Sequence, residues 1–262
     1  NKLMKIILLF ILIFQFSHVN ADEIYNLIKI PNLEIYKLKN NNDIRYLNAK
    51  RDFKIGMDDN ITCNKTNQEN LNTKFPIIER NIKRYNSKFL KKISLKYIVF
   101  CEGLFISNIN TGGMPDNKNR TLIIDINFNE KYFERMIHHE IFHMIQNSNE
   151  DDFNDQEFTL FNDSDFKYAE CSTCSDRLNL DLYENTNGFL TEYSKSIPSE
   201  DMAEIFSFLM VNKNLIEEKI KKDSILKNKV NFIKTNIFKI DENILWLKQL
   251  KLQNQKKFYL FF

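Results

Sequence analysis

Glycine and proline are scarce in this chain, with five and four among 262 residues. A turn-dense β-sandwich needs more of both, and so does a flexible linker between domains, so the chain reads as one folded unit of helices and long strands. No segment repeats with a period of about 20 to 50 residues, which excludes a solenoid or propeller. Excess charge is missing too. Residues 1–21 contain Lys2 and Lys5 and no acid, leaving 35 basic against 35 acidic residues in the remainder. A net charge of zero gives no reason to expect nucleic acid as a partner, and the doublets Lys91-Lys92, Lys221-Lys222 and Lys256-Lys257 read as solvated faces.

A run long enough to span a membrane is also lacking. Ile6–Phe16 is apolar apart from Gln15, but it falls short of the roughly 20 residues a spanning helix needs. Preceded by Met4-Lys5 and followed by Ser17–Ala21, it has the form of a signal peptide (residues 1–21) cleaved before Asp22. The expected product, residues 22–262, is secreted, with no stable membrane insertion and one domain. Four cysteines in an exported chain read as structural disulfides, and three pairings are open. Cys171 and Cys174 are close enough to pair locally, which would leave Cys63 with Cys101. The sequons at Asn60, Asn64, Asn119 and Asn162 are permissive only, since heavy use of Asn, Lys and Ile inflates such matches.

Histidine is the most informative shortage. There are four in all, and apart from His18 they lie in His138-His139-Glu140-Ile141-Phe142-His143, which contains H-E-x-x-H. At about 100° per residue, His139 and His143 lie about 40° apart on one helical face and can share a metal ion. Glu140 falls about 60° to the side, too far round to be a third ligand of the same turn and well placed as a general base. Phe133, Ile137, Ile141, Met144 and Ile145 cluster on another sector, giving the helix a side to pack on a core. His138 points elsewhere and reads as a surface or packing residue.

Before this helix, Leu33–Leu38 and Ile44–Leu47 read as short extended pieces and Pro76–Lys92 as a helix, with Pro76 in its first turn and a stripe of Ile78, Ile82, Tyr85 and Phe89. Leu95–Phe100 reads as a buried strand, Gly112-Gly113-Met114-Pro115-Asp116 as a turn, and Thr121–Asn127 as a strand leading into the metal helix. A sheet edge above such a helix would offer main-chain groups to an extended peptide. Beyond the helix, Phe158, Phe161, Phe166 and Tyr168 read as core rather than cleft wall. Ile225, Val230, Ile233 and Ile237 fall near helical spacing, Ile244–Leu252 is a further possible helix, and Trp246 has no assigned role.

A catalytic zinc site requires a third protein ligand. A metzincin would have Gly at 146 and His at 149; the chain has Gln146 and Asn149, which excludes that class. Acids available by position are Glu157, Glu170, Glu184, Glu192, Glu200 and Glu204. Of these, Glu200 and Glu204 lie one turn apart on a convincing helix that starts at Pro198-Ser199 and continues through Phe206, Phe208 and Met210.

Gly188-Phe189-Leu190-Thr191-Glu192-Tyr193, followed by Glu200-Asp201-Met202-Ala203-Glu204, resembles the active-site region of gluzincin metallopeptidases related to the lethal factor of anthrax toxin and the Pro-Pro endopeptidases. It is also similar to a broad set of secreted microbial proteins classed as zinc metallopeptidases. The resemblance covers about residues 121–210. It implies an α+β, zincin-like fold with a small sheet, the H-E-x-x-H helix (both within 22–147) and a mostly helical C-terminal lobe (148–262). It also implies Zn2+ on His139, His143 and Glu200, Glu140 as base, Tyr193 as oxyanion donor seven residues before Glu200, and a protein or peptide substrate. Glu204 is expected beside a histidine ligand, holding its ring N–H. The alternative is a non-catalytic secreted binding protein on the same fold, but such a protein has no need of a base beside its metal.

Overall fold

The computed structural model describes residues 32–38 and 42–242. The expected signal peptide, Ile244–Leu252, Trp246 and Lys256-Lys257 lie outside the described residues. The strands are β1 (Leu33–Lys37), β2 (Arg45–Ala49), β3 (Phe53–Ile55), β4 (Ile61–Asn64), β5 (Tyr97–Ile106), β6 (Ile109–Asn110), β7 (Gly113–Asp116) and β8 (Thr121–Asp125). They form one curled eight-stranded sheet, larger than the small sheet the sequence suggested. Pieces such as β3 and β4 alternate apolar and polar residues but, at three and four residues, are too short for that alternation to stand out as a pattern.

The sheet is built around β5. Its first half lies parallel to both β2 and β8, with β1 and β7 as the outer antiparallel strands of that layer. Its second half pairs antiparallel with β4 and β6, and β3 follows β4. Gly103 lies at the bend with φ +63°, a conformation that favours glycine. There β8 has ended, and the carboxylate of Asp125 accepts the Gly103 and Leu104 N–H groups at 2.9 and 3.0 Å. Cys63–Cys101 joins β4 to β5, and Cys171–Cys174 closes locally.

Side chains alternate across the sheet with the period of two that a strand imposes. Ile98, Phe100, Leu122 and Ile124 point into the main core, whereas Tyr97, Val99, Cys101 and Ile123 fill a smaller cluster on the other face. Helices cover the main-core face: α1 (Gln68–Ile82), α2 (Ser87–Lys92), α3 (Phe133–Ser148), α4 (Asp155–Thr159), α5 (Pro198–Val211), α6 (Lys213–Lys219) and α7 (Ser224–Ile240). The expected single helix at 76–92 is two helices, and Pro76 sits inside the first rather than in its opening turn. Asn67 caps α1 by accepting from Glu69 and Asn70 N–H, and Asn86 caps α2 by accepting from Phe89 N–H, so the chain restarts where the pattern alone reads straight on. The stripe Ile78, Ile82, Tyr85 and Phe89 is buried as its spacing implied. No helix of the described residues is long and apolar enough to cross a membrane.

Candidate metal centre

Helix α3 is buried on most of its circumference, between the sheet on one side and α5 on the other. Helix α5 begins with Pro198 at its first turn and is buried from Glu200 through Met210. Their facing sides bring together His139, His143 and Glu200. His139 Nε2 lies 2.8 Å from Glu200 Oε2, His143 Nε2 lies 3.2 Å from the same oxygen, and the two Nε2 atoms are 3.1 Å apart. Tetrahedral zinc with ligands at about 2.1 Å needs donor atoms about 3.4 Å apart, so this trio would fit the ion after spreading by about 0.2 to 0.6 Å. Of the other acids weighed as a third ligand, Glu157, Glu170, Glu184 and Glu192 are not part of this group.

Glu204 lies one turn along α5, and its Oε1 is 3.0 Å from His139 Nδ1. A carboxylate accepts there, so Nδ1 carries the proton and Nε2 presents its lone pair to the centre when His139 is neutral. Glu204 Oε2 is held by an ion pair with Arg135 and by the Thr191 hydroxyl at 2.9 Å.

Burial alone would depress the His139 pKa, but hydrogen bonds and charge from Glu200 and Glu204 raise it to about 10 in the metal-free chain. A cation entering here must displace that proton. Burial would push Glu200 up, yet His143 and His139 hold it well below the usual carboxylate range. Glu140 is pushed upward by burial despite the two histidines. Burial, reinforced by Glu200, Glu140 and Glu204, raises the Tyr193 phenol well above its ordinary value, so it remains a donor. Tyr193 opens a short 3-10 turn, with its ring centroid 5.9 Å from that of His139.

His138 is a packing residue and is not on the surface. It is fully buried, with Nδ1 2.6 Å from the Tyr85 hydroxyl and Nε2 3.0 Å from Asn81 Oδ1, tying α3 to the α1–α2 corner. Burial holds it neutral.

The glycine-rich stretch read as a turn is the edge strand β7, paired among the described residues with β8 alone. Asp125 N–H donates to Gly112 O at 2.9 Å. By the alternation of an antiparallel ladder, the main-chain groups of Gly113 and Pro115 therefore turn to the opposite edge. Gly113 O accepts from the Thr111 hydroxyl at 3.1 Å, and Pro115 brings a carbonyl but no N–H. That edge borders a cleft of about 420 Å³ containing His139, Glu140, His143, Tyr193 and Glu200. Its other wall carries Ser172, Thr173, Leu178 and Leu180; the aromatics Phe158, Phe161 and Phe166 lie elsewhere, Phe158 in the core.

Sequence reasoning missed three parts of this centre. Arg135 and Thr191 find Glu204 only through the fold, although Arg135 lies one helical turn before His139. The Leu178–Leu180 wall carries no periodic signal at all.

The chain is thus a mixed α+β protein whose two central helices bring together a His-His-Glu group that could hold a metal ion. Residues 108–243, just over half of the chain, match the family model described as "Putative zinc-binding metallo-peptidase", and the chain belongs to that family. A crystal structure of a protein described in the same words, from Bacteroides caccae ATCC 43185, is similar at 17% identity and a TM-score of 0.47, over 69% of this chain and 76% of that one. No curated protein matches the chain.

Proposed function

We propose that this protein is a secreted zinc metalloendopeptidase of the gluzincin type, akin to the lethal factor and Pro-Pro endopeptidase group, with His139, His143 and Glu200 as ligands. The observation that carries the reading is the convergence of three donor atoms within 3.2 Å beside a buried glutamate and a sheet edge. When bound, zinc supplies Lewis acidity, acidifying water toward neutrality and polarising a carbonyl oxygen. The residues of the chain supply the rest. An extended peptide lies along β7, where Gly113 N–H donates to it and the Gly113 and Pro115 carbonyls accept from it. Glu140 takes the proton of the attacking water and delivers it to the leaving amine. The Tyr193 phenol donates to the oxyanion that forms on the substrate carbonyl. Glu204 holds His139 in the ring orientation that ligation needs.

Export is part of the proposal, supported by the apolar leader and by four cysteines joined in two disulfides. A mature N-terminus near Asp22 and a mobility shift on reduction are expected; a retained leader would refute cleavage before Asp22, and four freely alkylated thiols in secreted protein would refute the disulfides. For the chemistry, Glu140→Gln keeps shape and removes the base. Zinc content is expected to persist while peptide hydrolysis falls by at least about 10²-fold. Tyr193→Phe is expected to keep zinc and lose roughly 10²- to 10³-fold in kcat. Equal cleavage by wild type and Glu140→Gln would place any hydrolysis elsewhere and leave a binding protein as the better reading.

A further inference from the structure

Arg135 is a buried cation that the proposed chemistry does not use. It lies one helical turn before His139, and the Glu204 carboxylate spans the two, with Oε1 on the imidazole and Oε2 on the guanidinium. The second arm of the guanidinium points the other way: Nη2 donates to Leu180 O at 2.7 Å. Phe208 stacks on one side of it at 4.3 Å and Tyr132 lies 5.5 Å away, so the fork has little freedom to turn.

Both ends of this bridge matter to the cleft. Because Oε2 is claimed by Arg135 and Thr191, the Glu204 carboxylate cannot rotate, and Oε1 stays aimed at His139 Nδ1. Leu180 belongs to the stretch 160–192, which contains no helix or strand and is held by scattered main-chain bonds, such as Tyr183 N–H to Leu190 O and Tyr193 N–H to Asn179 O, together with side chains. At Leu180 and Asp181 the side-chain tethers come from the start of α3: Arg135 holds Leu180, while Lys131 and the Tyr132 hydroxyl hold Asp181.

We propose that Arg135 is a positioning residue, fixing the zinc ligand His139 through Glu204 with one arm and the substrate-facing wall through Leu180 with the other. This rests on the assignment of His139 as a ligand. An ammonium cannot reproduce the fork, so lysine is not a conservative replacement here.

The test is a set of variants, Arg135→Lys, Arg135→Met, Glu204→Gln and the Arg135→Met/Glu204→Gln pair, with zinc affinity read by chelator competition and kcat and KM read on a cleaved peptide. Arg135→Met is expected to weaken zinc about 10- to 100-fold, as loss of a ligand's orienting partner does. In the Glu204→Gln background the same change is expected to add less than about threefold, because its route to the metal is already cut. KM is expected to rise in both Arg135 variants and to hold in Glu204→Gln, which leaves the wall tether intact. Wild-type zinc affinity in Arg135→Met, or effects that multiply fully in the pair, would overturn the proposal. Should Arg135→Met fail to fold, Arg135→Lys carries the same comparison, with weaker zinc and raised KM expected and unchanged values overturning it. Full zinc binding by His139→Ala would instead show that the ligand assignment is wrong.

Discussion

Gly113 lies so close to Glu140 that a Cβ at position 113 would stand 2.6 Å from Glu140 Cγ and 3.1 Å from the Ile123 carbonyl oxygen. The glycine lets an edge strand and a helix approach at the point where, in the proposed mechanism, substrate and base meet. Gly113→Ala is therefore expected to push Glu140 out of place, lowering kcat/KM by at least about 10-fold with zinc content unchanged, since small misplacements of reacting groups are costly. Unchanged kinetics in that variant would mean that the base does not depend on the strand.

The two glutamates of α5 make different demands. Glu200 faces both Nε2 atoms, whereas Glu204 meets only the far side of His139. Glu200→Ala is expected to lose most bound zinc, and Glu204→Ala to weaken it by about 10- to 100-fold. The reverse order in a metal titration would sink the ligand assignment.

Lys229 and Asp201 form an ion pair at 2.7 Å with both side chains at 0% exposure. Lys229 also donates to Gly188 O at 2.9 Å, and Tyr168 donates to Asp201 Oδ2 at 2.8 Å, so the pair joins α7, α5 and the stretch leading to Tyr193. Lys229→Met leaves a carboxylate buried without its cation. A loss of about 3–5 kcal/mol in urea-measured stability is expected; a change of a few tenths would show that the site relaxes or admits water.

Asp223 caps α7, accepting from Leu226 N–H, while its other oxygen takes the Thr186 hydroxyl and Gly188 N–H. Burial raises its pKa, but these donors outweigh it and hold the carboxyl below its ordinary 3.8. A group depressed on folding adds stability that is present above its unfolded pKa and lost as pH falls toward the folded one. Asp223→Asn is expected to flatten the acid limb of the stability profile below that ordinary value, and Asp223→Ala to cost about 1 kcal/mol at neutral pH through the lost cap. An acid limb unchanged in Asp223→Asn would assign that loss to other carboxylates.

What could be read in advance followed local periodicity. His139 and His143 declare themselves by spacing on one helix; the pattern of a second narrows the third ligand to Glu200 or Glu204, and the choice of Glu200 comes from the family resemblance. Composition misled where tertiary contact had chosen the residue. Gly112-Gly113 followed by Pro115 looks like a turn, yet both glycines stand in or beside a strand where a Cβ would strike Met136, Phe128 or Glu140. Pro76 looked like a helix start because nothing local shows that Asn67 caps the chain nine residues earlier. Arg135 was out of reach, since its partners Glu204 and Leu180 lie 69 and 45 positions away.

The end of β8 has a consequence for how this architecture can vary. Asp125 finishes the strand by taking two amides of β5, and α3 opens at Phe133, so the sheet reaches the histidines through the link 126–132 and then through the helical residues Phe133 to His138. Adding or removing one residue within α3, between Phe133 and His139, would turn the histidines by about 100° relative to the start of the helix and carry them away from Glu200. Length changes between 160 and 180 meet no such gearing, because no helix or strand runs through that stretch. Relatives with different substrates would thus be expected to diverge in the wall and keep the number of helical residues before the histidines.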